Sequence, residues 1–195
     1  MPLFDPDNTT SAEASALYAL ADLLSECTAA QALAEETGGT AEANATATRA
    51  KVILGPHAGP WDGEQFTPTE LAARFIEFQL TSPLDGGRTV VKSDGSFDRA
   101  DEQGEFLLLI RRHARDSEMA DPSDLYLWFL DQIATLEQQL LTNAETRECP
   151  RLLAVTRTQG PAFPHRQEGS TQGEYIFTQH TIAWGDPIGG AGGGD

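Results

Sequence analysis

The sequence predicts an α+β fold: a small mixed or antiparallel sheet packed against an N-terminal helix and a second, long amphipathic helix. Three observations carry this. Residues 121–143 place Leu125, Phe129, Ile133, Leu136 and Leu140 at helical spacing on one line. Residues 151–158 and 174–184 follow as two runs rich in strand-forming residues. Residues 105–113, EFLLLIRRH, hold five consecutive apolar residues, the pattern of a short strand buried on both faces.

In chain order, residues 1–10 read as an extended arm with Pro2 and Pro6. Thr10 and Glu13 have the spacing of a capping box, in which each side chain satisfies a free N–H at a helix start. Leu17, Leu20, Leu24 and Cys27 then form a helical stripe. Alanine-rich composition extends this helix over 13–36, and Gly38-Gly39 stops it. The Ala/Thr-rich stretch 40–50 reads as a linker or a marginal helix. Val52, Ile53 and Leu54 make a brief strand, closed by Gly55-Pro56. Residues 57–68 read as a loop anchored by Trp61, and Pro68 suits a first helical turn.

The alternation of Phe75, Glu77 and Gln79 with Ile76, Phe78 and Leu80 favours a strand that ends at Ser82-Pro83. Asp85-Gly86-Gly87 is a turn, and 88–92 a short strand. The acidic, glycine-containing segment 93–104 reads as a loop. Asp121 is a good N-cap, with Pro122 in the first turn and Asp124 near the positive end of the helix. Cys149-Pro150 breaks the chain before the last two strands, which a long polar connection joins. At 195 residues the chain forms one domain with extensions: an arm at 1–10, an α+β domain over 11–185 with a long loop near 81–104, and a Gly-rich tail at 186–195.

Charge is the strongest compositional signal. Thirty Asp and Glu against thirteen Lys and Arg give a formal net charge of −17, and only Lys51 and Lys92 are lysines. Such a chain does not coat nucleic acid, because phosphate binding needs cations to neutralise it. It suits either general solubility or a surface that must not stick to DNA or to anionic membrane. Two cysteines, Cys27 and Cys149, fit neither a disulfide framework nor a zinc pattern, and Cys27 reads as a buried free thiol. The first residues show no basic and apolar leader, and no run reaches the ~18 apolar residues of a span. The expectation is a soluble, intracellular chain without membrane contact.

The candidate chemistry is sparse. His57, His113, His165 and His180 stand at no helical metal-pair spacing. Asp94, Asp98, Asp101 and Glu102 lack the alternation of a calcium loop and read as a solvated loop. The terminal glycines follow no strand-to-helix setting, so they make no phosphate loop. Ser25 and Ser123 lack a nucleophile-elbow setting. No catalytic residue, cofactor or metal site is therefore predicted. Arg111, Arg112 and Arg115, beside His113, form the one dense basic patch. They serve either to neutralise neighbouring acids or as an inter-subunit contact.

The element order resembles that of tail-terminator and tail-completion proteins of long-tailed bacteriophages. The likeness is carried by the helix over 13–36, the strand at 75–80, the run 106–110 ending in basic residues, the helix over 125–141, and the closing pair 152–158 and 175–184. It implies a virion protein and not an enzyme. The expected form is a ring, usually a homohexamer, that caps the tail tube in the neck and joins it to the head-completion or connector proteins. DNA would slide through its acidic lumen without specific binding. The alternatives are a small α+β enzyme, with a site assembled from residues distant in sequence, and an adaptor module.

Overall fold

The computed structural model describes residues 12–55, 76–82, 89–92, 100–115, 117–145, 151–163 and 175–185. The fold is α+β. Its helices are α1 (Ala12–Glu26), α2 (Thr28–Leu33), α3 (Ala41–Arg49) and α4 (Pro122–Ala144). Its strands are β1 (Val52–Leu54), β2 (Ile76–Thr81), β3 (Thr89–Lys92), β4 (Ala100–His113), β5 (Arg151–Ala162) and β6 (Tyr175–Gly185). They form one mixed sheet in the order β1-β2-β4-β6-β5, with β3 also paired to β4. Only the β1–β2 pair is parallel.

The core lies between the sheet and α1, α2 and α4. From the sheet it takes Phe78 and Leu80 of β2, Phe106, Leu108 and Ile110 of β4, and Ile176, Ile182 and Trp184 of β6. The rings of Phe106 and Trp184 stack with centroids 5.3 Å apart across the β4–β6 pair. Helix α4 buries Leu125, Phe129, Ile133, Leu136, Leu140 and Ala144, the stripe that its periodicity predicts. Asp121 caps it by accepting a hydrogen bond from the Asp124 N–H at 3.1 Å, and Pro122 occupies the first turn.

The structure departs from the sequence expectations in four places. The N-terminal helix is not continuous over 13–36, because Cys27 adopts an extended conformation (ψ 123) between α1 and α2. The break is stabilised by side chains from elsewhere. Gln139 of α4 accepts from the Ala29 N–H (3.1 Å) and donates to Thr28 Oγ1 (2.6 Å), capping α2 from outside. Gln31 fills the carbonyl of Ser25 (3.0 Å). The stop is also not at Gly38-Gly39. Glu35 takes a left-handed conformation (φ 59), with Glu36 N–H on the Gln31 carbonyl and Glu35 N–H on the Ala32 carbonyl. That is a Schellman ending in which a glutamate sits where glycine is usual.

Two further differences concern the sheet. β3 is the short strand expected at 88–92, but β4 begins at Ala100, inside the acidic stretch 93–104 expected as a loop, so Asp101 and Glu102 pair with Val91 and Val90 as strand residues. Residues 105–113 are not buried on both faces. Phe106, Leu108, Ile110 and Arg112 are buried, whereas Leu107, Leu109, Arg111 and His113 are half-buried. Helices cover one face of this mainly antiparallel sheet, so alternation replaces the two-sided burial of a parallel one. The stretch 40–50, open between linker and helix in the sequence, is α3, capped by Thr40. The arm, the Gly-rich tail and the loop at 57–68 lie outside the described residues. Among the described residues, no helix is long and apolar enough to cross a membrane.

Phe129 is fully buried between α4 and the sheet. Phe129→Ala should therefore cost about 3–5 kcal/mol in denaturant unfolding, whereas a loss below about 1 kcal/mol would contradict this placement.

Candidate functional site

Two clusters of charged side chains tie the helical layer to the sheet. The first centres on Arg112, whose position in β4 turns it toward the helices, where its side chain is only 2% exposed. Its guanidinium donates to both oxygens of Glu118, at 2.6 Å and 3.2 Å, and to Glu35 at 3.3 Å. It also lies over the Trp128 ring, 4.8 Å from the centroid. Arg115 closes the cluster with an ion pair to Glu35, and its backbone N–H donates to Glu118 at 2.8 Å. Burial pushes the Glu118 carboxyl up. Its hydrogen bonds from Arg112 and the Arg115 backbone, with the charges of both arginines, outweigh that and hold it below the usual range.

A cavity of about 390 Å³ opens beside this cluster, lined among others by Arg112, Asp121, Asp124 and Trp128. Three of the four acids around it have structural duties: Glu35 and Glu118 hold the arginines, and Asp121 caps α4.

The second cluster joins α4 to β5 and β6. Arg157 grips Glu137 with two hydrogen bonds, at 2.7 Å and 2.9 Å, and His180 Nε2 lies 2.9 Å from the same carboxylate. His180 faces the core from β6 and is buried. Burial lowers its pKa, and the Arg157 charge adds to that, against the opposing pull of Glu137 and the Leu108 backbone. Glu137 is raised by burial but lowered further by its bonds to Arg157 and His180, so it stays ionised. A carboxylate orienting an imidazole is a familiar catalytic pairing. Here the ring's Nδ1 is buried against the sheet without a well-formed hydrogen bond, so the imidazole does not reach a surface where a substrate would sit.

The structure separates the basic patch predicted at Arg111, Arg112 and Arg115. Arg112 is enclosed by the first cluster and presents no surface to a neighbour. Arg111 points to the opposite face of β4 and donates to Gln79 Oε1 at 3.2 Å. Arg115 is exposed and paired with Glu35. Charge reversal at Arg112 would therefore break the fold before it tested an interface. Of the histidines, His57 and His165 lie outside the described residues. His113 is half-buried, and burial with the nearby Arg111 charge lowers its pKa. Among the described residues no group of His, Cys, Asp and Glu is arranged to hold a metal ion. Cys27 is a buried free thiol that donates to the Leu23 carbonyl at 3.3 Å, while Cys149 is outside the described residues.

Sequence reasoning missed the Glu137–Arg157–His180 set. The signals were present. His180 shares the inward parity of Ile176, Thr178 and Ile182 on β6, and Glu137 stands four residues after Ile133 on the inner line of α4. Comparison with protein-family models and with curated proteins gives no match to this chain.

The clusters generate two predictions. Arg112→Ala should destabilise the protein by about 3 kcal/mol, because it strips a buried pair of its cation, whereas Arg115→Ala should cost under about 1 kcal/mol. Equal, small losses in urea melts would overturn the assignment of Arg112 as the buried member.

The pH dependence follows from the lowered histidines. The folded state takes up a proton at His180 less readily than the unfolded chain, whose value is near the ordinary 6.5. The stabilisation is therefore fully present above that value and is lost as the pH falls below it. His113 acts in the same direction, and Glu137 extends the loss below 4.5, its ordinary value. Urea midpoints should fall on acidification, and His180→Gln should flatten the part of that slope nearest neutrality. A slope unchanged in this variant would remove His180 from the account.

Proposed function

We propose that this chain is a structural protein of a phage neck or tail. In this reading it forms a homo-oligomeric ring, a hexamer, that caps the tail tube and joins it to the head-completion or connector proteins, with DNA passing through the lumen without specific binding. The observation that carries the reading is the edge strand β5. It has twelve residues and lies at the end of the sheet. It contains no Asp or Glu in a chain with a net charge of −17. Ala154, Thr156, Thr158 and Gln159 are exposed along it, and Leu153 is 52% exposed. An exposed edge strand is a template for another chain. Copies of an acidic protein approach each other at least electrostatic cost where the carboxylates are missing.

The internal ion pairs add support. Arg112 and His180 each face a glutamate across the layers, so the charged groups of both clusters hold helices to the sheet. The resemblance drawn from sequence rests on element order, and a long α4 ahead of the closing β5–β6 pair is the part of that order which supports the reading. A second reading, a binding module or small enzyme, rests on the 390 Å³ cavity beside Trp128, which is within the usual size range of ligand pockets.

Light scattering on the purified protein should give about six times the 21.0 kDa protomer mass, and purified particles should contain the chain. A monomer at every concentration, together with absence from particles, would sink the ring reading.

A further inference from the structure

We propose that the ring is closed by strand addition: the β5 edge of one copy pairs with the β1 edge of the next, so that each sheet continues into its neighbour's. This inference rests on the ring reading and names its seam.

The sheet order places β1 and β5 at opposite ends of the same sheet. A ring needs two different, mutually complementary patches on each copy, because head-to-tail contacts are what close a cycle. Two unlike edges of one sheet meet that requirement, whereas a β5-to-β5 contact would close on itself as a two-fold dimer.

Chemistry admits these two edges, as it does β3, which is also acid-free and pairs only with β4. β1 is Val-Ile-Leu, flanked by Lys51 and Gly55, and β5 likewise carries no acid. All thirty Asp and Glu lie elsewhere in the chain, and those not paired within the clusters oppose close approach. Each edge also exposes a large apolar side chain, Leu54 at 38% and Leu153 at 52%, which are two of the four exposed large hydrophobics among the described residues. Leu153 is turned outward as the extra residue of a bulge between Leu152 and Ala154.

Backbone geometry sets the length of the seam. The Lys51 carbonyl and the Gly55 N–H both bond to β2. Because strand residues alternate, the N–H and C=O of Val52 and Leu54 point to the other edge. On β5, register shifts fall between Leu152 and Ala154 and again between Arg157 and Gln159, and between them Ala154, Val155, Thr156 and Arg157 pair one-for-one with β6. A three-residue β1 fits this unbroken run. Such a seam fixes register, and the flanking surfaces supply the rest of a stable interface of about 800 Å² per partner.

The test is cysteine cross-linking of the full chain, with wild-type protein as the control for Cys27 and Cys149. Leu54→Cys combined with Leu153→Cys, or with Thr156→Cys to cover the other strand direction, should give a ladder of covalent oligomers on mild oxidation. Each single variant should give none. Leu153→Glu should weaken association about tenfold or more while leaving the thermal midpoint of the protomer unchanged. If the protein assembles but neither pair cross-links, or if Leu153→Cys alone yields dimers, the seam is wrong and the ring reading stands. If light scattering shows only monomer without any cross-link, the ring reading fails and the seam with it.

Discussion

A buried guanidinium is costly unless it is paired, and much of this architecture is arranged around one of them. Arg112 reaches from the C-terminal part of β4 into the helical layer. Three segments then converge on it: the end of α2 through Glu35, the turn before α4 through Glu118, and the face of α4 through Trp128. Glu35 occupies a left-handed conformation that costs a non-glycine residue about 1 kcal/mol or more. Its carboxylate sits between two arginines, which offsets that strain. Moving any one of these segments would leave a buried charge exposed to an apolar wall, a far larger penalty. The cluster therefore sets the position of α2 and α4 relative to the sheet.

The second cluster does the same at the other end of the layer. Glu137 receives Arg157 and His180 from adjacent strands, so α4 is pinned to both β5 and β6. Together the clusters tie the two layers at both ends, through the buried Arg112 in the first and the half-buried Arg157 in the second. The carboxylates outside these clusters give the surface its net negative charge, against which the acid-free strands at the sheet edge stand out.

Much of this was legible in the sequence, and the exceptions have a common cause. Helix α4 was visible because its cap, its proline and its stripe are all local, and Pro122–Ala144 lies within a residue of the expected 121–143. β5, β6 and the apolar half of β4 were visible for the same reason. The break at Cys27 was not, because the groups that stabilise it, Gln139 above all, are remote in the chain. The first five residues of β4 were not, because ADEQG has no strand pattern of its own and is held by pairing with β3 and β6. Arg112 read as part of a surface patch because adjacent strand residues point to opposite faces, and a run of arginines does not disclose which one turns inward.

The cap supplied by Gln139 also orders events during synthesis. The Ala29 N–H and its acceptor are 110 residues apart, so α2 leaves the ribosome long before the group that caps it. Until α4 emerges, the amides at the start of α2 have only water to bond, and the chain at Cys27 has little reason to prefer its kink to a straight helix. β6 is later still, yet it lies between β4 and β5 in the finished sheet. The central β4–β6 pairing can therefore form only after the edge strand β5 has already been made.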